Sequence, residues 1–265
     1  MCIRDSHKAE IEVILDVVYN HTSEGDNKGP AICWKGIDEN LYYFIGKDKN
    51  YQDVSGCGNT IAANRGLVRK LIIESLKCWA SEFGVDGFRF DLGIALSRGE
   101  NLSPLDNPPI FEDIECEPEL VDVKFISEPW DCGGLYKLGN FPSKNTFTWN
   151  GHFRDDLRRF WKGDKDTAWN MSDKIKGTPS IYKEDKILPK SINFISASSG
   201  SHSMSSKIGG LSSGARFSPL ERAIPKSNLK PSTPNSLAQH FNDSIISFLT
   251  NPLFAAIVLP QPDTS

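Results

Sequence analysis

Gly87-Phe88-Arg89-Phe90-Asp91-Leu92 decides the fold. Side chains two apart on a strand share a face, so Gly87, Arg89 and Asp91 point one way while Phe88 and Phe90 point the other. A strand apolar on one face, carrying an arginine and ending in a carboxylate on the other, presents chemistry at its C-terminal end. Two more stretches repeat the layout. Upstream, Ile11–Val18 is nearly continuous apolar and β-branched around Asp16, and runs into Tyr19-Asn20-His21; downstream, Phe125-Ile126-Ser127 runs into Glu128-Pro129-Trp130-Asp131. Continuous apolar runs of this length suit strands buried on both faces, as parallel strands are.

Between these stretches the pattern is helical. Val68, Leu71, Ile72, Leu76, Trp79, Ala80 and Phe83 keep the i, i+3, i+4 spacing and predict a helix over residues 65–83, with Asn64 as its cap and Gly84 as its stop. Residues 22–60 are rich in Gly, Asn and Asp and read as a long loop. Its aromatics, Trp34, Tyr42, Tyr43 and Tyr51, are expected to anchor packing. Residues 93–119 read as loop with a short helix near 117–120. A strand is expected over 121–127, a helix over 153–162 and a further strand over 191–197. Strand–helix–strand alternation means parallel βαβ units, an α/β fold. Parallel strands with polar groups gathered at their C-terminal ends describe the active face of a (β/α)8 (TIM) barrel.

Composition bounds the rest. The 265 residues are 38% hydrophobic and 24% charged, as in a folded domain, and the net charge is −4. That balance argues against nucleic acid or an anionic membrane as partner and fits a neutral, polyhydroxylated substrate. The six cysteines are scattered, with no C-x-x-C pair, so no zinc or redox motif is visible. The apolar stretch near 245–259 is broken by Asn251 and Pro252 and is too short to span a bilayer.

Two carboxylates converging at neighbouring strand ends point to glycoside hydrolysis. Arg89 beside Asp91 would keep that carboxylate ionised, as a nucleophile needs. Glu128, among apolar and aromatic groups, should have a raised pKa, as a general acid needs. The bland reading, a buried Arg–Asp pair and a capping glutamate, stands beside this one.

Together, Asp16–His21, Gly87–Leu92 and Glu128 resemble three conserved regions of glycoside hydrolase family 13, the α-amylase superfamily. The resemblance puts the nucleophile on Asp91 and the acid/base on Glu128. It makes Asp16, Asn20, His21, Arg89 and Trp130 the substrate-binding set. Ser55-Gly56-Cys57-Gly58-Asn59-Thr60, Glu128–Tyr136 and Trp149-Asn150-Gly151 are similar to the isoamylase and glycogen-debranching branch. This implies retaining hydrolysis of α-1,6 branch linkages in amylopectin or glycogen, with no cofactor and no metal. A calcium ion occurs in the superfamily, but no ligand cluster argues for one here. The partner is then a branched α-glucan, with homo- or hetero-oligomers and a plastid or cytoplasmic setting both compatible. The alternative is a non-catalytic, glucan-binding regulatory subunit, as some isoamylase relatives are; retention of Asp91, Glu128, Arg89 and His21 argues against it.

The resemblance covers about residues 10–197. The family's strand matched by 191–197 leads into a His-Asp pair, whereas Ala197 is followed here by Ser198-Ser199-Gly200. Residues 1–9 are expected to be a non-native start, 10–197 a partial catalytic barrel without its first two strands and its last, and 198–265 a disordered, Ser- and Pro-rich tail. The chain as written is expected to have no useful debranching activity.

Overall fold

The computed structural model describes residues 3–182 and 190–195. Their framework is five parallel strands in sequential order: β1 (Ile14–Val17), β2 (Gly87–Phe90), β3 (Lys124–Ser127), β4 (Thr146–Asn150) and β5 (Ser191–Asn193). The register brings Asp16 level with Arg89 and Arg89 level with Ile126. Asp91 and Glu128 therefore leave their strands side by side at the same end of the sheet. Helices α1 (Ile3–Lys8), α2 (Lys35–Tyr42), α3 (Gly66–Lys77), α4 (Pro109–Cys116), α5 (Gly151–Lys162) and α6 (Thr167–Ile175) complete the framework.

The two faces of β2 are partitioned as the alternation requires. Phe88 and Phe90 are fully buried with Phe125, Val68, Ile72 and Leu76. The Phe88 and Phe90 rings stack on Phe125 at 6.1 and 6.0 Å. Gly87 makes the central position usable. A β-carbon there would come within 2.7 Å of both the Ile14 side chain and the Lys124 carbonyl.

Several boundaries differ from the sequence expectation, each for a local reason. β1 starts at Ile14, not Ile11, because the chain first has to turn out of α1: Glu10 takes φ +57° and Ile11 N–H donates back to Ser6 O at 3.0 Å. α3 runs regularly to Lys77, and Cys78–Glu82 then widens into a π-helical turn that closes at Gly84, at φ +71°. The wider turn rotates the following residues off the core face. Trp79 and Phe83 consequently lie exposed, their tilted rings 4.7 Å apart. Asn64 does not cap α3. Its amide donates to the carbonyls of Leu96 (2.7 Å) and Arg98 (2.9 Å), and its oxygen accepts from Ile110 N–H at 3.1 Å, tying three loops together.

α1, α2, α4, α6 and β4 are additional to the elements read from the sequence. α4 opens at Pro109, whose fixed φ suits a first helical position, and buries Ile110, Phe111 and Ile114. In the 22–60 segment the aromatics do pack. Tyr43 is fully buried, Trp34 stacks on Tyr42 at 4.6 Å, and Tyr43 meets Tyr51 edge-on at 5.3 Å. No helix among the described residues is long and apolar enough to cross a membrane. The expectation for residues 198–265 lies outside the described residues.

Candidate active site

Arg89 is the centre of the site. It is 3% exposed, and its guanidinium reaches three carboxylates: Asp16 on β1, and Asp91 and Glu128 just past the ends of β2 and β3. Nη1 donates to Asp16 Oδ1 at 2.7 Å and to Asp91 Oδ1 at 3.3 Å, and Nη2 donates to Glu128 Oε1. The indole of Trp149, from β4, lies 4.4 Å from the guanidinium carbon. Burial opposes the arginine's charge, but Glu128, Asp16 and Asp91 together raise its pKa further. Nε is buried and has no hydrogen-bond partner among the described residues, so the open Trp149 face carries part of the charge stabilisation.

Glu128 is 7% exposed, and burial pushes its carboxyl up to about 7. Arg89 and a backbone hydrogen bond pull it down, and Asp91 and Asp16 push it further up. That hydrogen bond comes from Leu92 N–H to Oε2 at 3.0 Å. Leu92 makes it by taking φ +41° and ψ +42°, a left-handed conformation unusual for a γ-branched residue. Gly93 follows because a β-carbon there would overlap Ser127 Oγ. The turn after Asp91 is thus shaped to lie against the end of β3.

Asn20, fully buried, donates from Nδ2 to Asp91 O (2.7 Å) and Asp91 Oδ2 (3.1 Å). Its Oδ1 lies 2.5 Å from His21 Nδ1. Burial lowers the His21 pKa, with Asp91 and Asp53 acting against it, so the ring is neutral at pH 7 and can both donate and accept. Asp16, half-buried, has its pKa raised by burial in spite of Arg89. The structure therefore brings Asp16, Asn20, His21, Arg89, Asp91 and Glu128 into one connected cluster.

Trp130 stands apart from that cluster. It packs edge-on against Tyr136 at 5.8 Å and stacks near Phe194 at 6.2 Å, with Arg154 5.5 Å from its ring. Trp149 and the Leu92 amide are the site groups that sequence reasoning missed. Trp149 lies on a strand that no apolar run announces, and a backbone amide aimed by a left-handed leucine leaves no signal at all. Among the described residues, no group of three or more His, Cys, Asp or Glu side chains could hold a metal ion.

With this geometry in view, the relatives are informative. No protein-family model matches the chain. The chloroplastic isoamylase 3 of Oryza sativa subsp. japonica is 44% identical over 203 residues, 75% of this chain and 26% of that protein. The glycogen operon protein GlgX homologue of Mycobacterium tuberculosis is 42% identical over 203 residues, 75% of this chain and 28% of that protein. Over this stretch the chain is homologous to isoamylases and glycogen debranching proteins. It spans about a quarter of the length of these curated relatives. Among solved structures, family resemblance extends to a pullulanase from Anoxybacillus sp. LM18-11 complexed with maltotriose. The TM-score is 0.56 at 26% identity, covering 73% of this chain and 28% of that one.

Proposed function

We propose that this chain carries the catalytic carboxylates of a retaining debranching hydrolase acting on α-1,6 linkages of a branched α-glucan. The observation that carries the reading is the opposed pair around Arg89. Asp91 lies within reach of the guanidinium, while Glu128 is buried enough to titrate near 7. One group is thus equipped to attack as a carboxylate and the other to lend a proton near neutrality.

Asp91 attacks the anomeric carbon as Glu128 protonates the departing glycosidic oxygen, leaving a glycosyl ester on Asp91. Glu128, now ionised, takes a proton from water, and the resulting hydroxide equivalent releases the sugar with retained configuration. Arg89 holds both carboxylates and Asp16 in place. His21 offers a neutral hydrogen-bonding ring to sugar hydroxyls, Asn20 holds that ring and Asp91 in place, and Trp130 offers an apolar face at the rim. The chloroplastic and bacterial relatives support a plastid or cytoplasmic setting.

The test is trapping, because it needs only one turnover. A fluorinated maltosyl fluoride should leave a glycosyl adduct on the peptide containing Asp91, read by mass spectrometry. Glu128→Gln should prolong the adduct, because fluoride leaves without a proton and only hydrolysis then needs the base, and Asp91→Asn should abolish labelling. Amylopectin debranching that survives Asp91→Asn would overturn the assignment.

A further inference from the structure

Asp91 and Glu128 sit on two separate loops, and their relative position depends on what joins those loops. Near the strands the join is the Leu92 and Ile94 amides, which donate to the Glu128 side chain (3.0 Å) and carbonyl (3.2 Å). Further out it is one buried ion pair. Arg98 ends the 3₁₀ turn Gly93–Ser97 that follows Asp91, and Asp131 follows Glu128 by way of Pro129 and Trp130. Arg98 Nε and Nη2 both donate to Asp131 Oδ2, at 2.9 and 2.7 Å. The Asp131 side chain is fully buried and that of Arg98 is 9% exposed.

The remaining hydrogen-bonding capacity of the pair is spent on the same two loops. Arg98 Nη1 donates to Leu102 O at 2.7 Å, and Asp131 Oδ1 accepts from Leu135 N–H at 2.9 Å. A third loop is keyed to the pair as well. Cys132 N–H donates to Val54 O at 2.8 Å, and a β-carbon on Gly133 would come within 2.5 Å of Val54 Cγ1 and 3.1 Å of Arg98 Nη2.

We propose that Arg98 and Asp131 are a positioning pair that holds the Asp91 loop against the Glu128 loop in working register. The proposal rests on the catalytic reading above. Neither residue touches substrate; they act through the turn that presses Leu92 N–H and Gly93 onto the end of β3. If the outer join fails, that turn lifts, water reaches Glu128, and the carboxyl loses the burial that keeps it protonated near neutrality. The charged groups facing Glu128 stay in place: Arg89 from β2, Asp91 from the loop after it, and Asp16 from β1. Its titration therefore reports the clamp.

The experiment uses the full chain with carboxyl-¹³C glutamate. The Glu128 signal, assigned by its loss in Glu128→Gln, should titrate near 7 in the wild type. Asp131→Asn, which breaks the pair at nearly constant volume, should lower the midpoint by about one unit or more. It should also slow labelling of Asp91 by the fluorinated glycoside, on the order of 100-fold. Arg98→Lys keeps the charge and loses the fork; it should give a smaller fall in the same direction, and it decides the matter if Asp131→Asn does not fold. Lys124→Met, on the outside of β3, should leave the midpoint unchanged. Folded Asp131→Asn and Arg98→Lys variants titrating at the wild-type midpoint would overturn the proposal. Absence of labelling in the wild type would count against the catalytic reading instead, with the midpoint still deciding the clamp.

Discussion

Two glutamates in this molecule are almost equally hidden from water and ionise in opposite senses. Glu24, at the start of the 22–60 segment, is 0% exposed, and its carboxyl is held down at about 2. Glu128, at the end of β3, is 7% exposed and pushed up to about 7. Burial raises both. At Glu24 it is outweighed by donors: the Tyr43 hydroxyl and the backbone N–H groups of Cys33 (2.7 Å), Ile32 (2.9 Å) and Lys35 (3.3 Å). At Glu128 the donors are Arg89 and one amide, and two further carboxylates compete for the same arginine. Donor supply, not depth, separates a carboxylate that organises a loop from one that can exchange a proton.

The largest expected effect comes from removing the loop-organising carboxylate. Glu24→Ala should cost roughly 3 kcal/mol or more, read by urea denaturation at pH 7, because several donors lose a charged acceptor at once. The pH dependence sharpens the point. The folded pKa of Glu24 lies below its ordinary 4.5, so its stabilisation is complete above that value and lost as pH falls from 4.5 toward 2. Glu24→Gln should remove its share of that acid-side decline.

Glu128 should behave in reverse. Its folded pKa lies above 4.5, so its neutral form supports the fold fully below 4.5, and that support is lost as pH rises through 7. Glu128→Gln should leave stability near pH 4.5 little changed and raise it at pH 8, by on the order of 2 kcal/mol, while abolishing acid–base turnover. A flat wild-type profile between pH 4.5 and 8 would break the comparison. The smallest effect is reserved for a pair exposed on both sides. Lys124 and Glu12 form an ion pair at the surface, and Lys124→Met should shift the denaturation midpoint by under about 0.5 kcal/mol.

The legibility of this fold in its sequence follows the same division. β1, β2 and β3 are readable because each carries β-branched or aromatic residues on a packed face and a polar group at its end. Alternation joined Arg89 to Asp91, and the parallel βαβ reading brought Glu128 to the same end of the sheet. β4 was not readable: Thr146, Thr148 and Asn150 are its buried residues alongside Trp149, so the strand hides polar side chains and shows no apolar run. α4 was masked by Pro108-Pro109, which marks a loop in most contexts and a helix start here. The Arg98–Asp131 join could not be read because its partners lie on different loops and nothing in either stretch names the other.

Leu92 carries a consequence for anyone engineering this segment. A leucine held left-handed costs on the order of 1–2 kcal/mol, and glycine would not incur it. Leu92→Gly should therefore raise the melting temperature, read by thermal denaturation. It would also free the turn that aims an amide at Glu128. A screen for heat resistance would favour the substitution and a screen for turnover would discard it, so thermostability and rate are set against each other at this single backbone torsion.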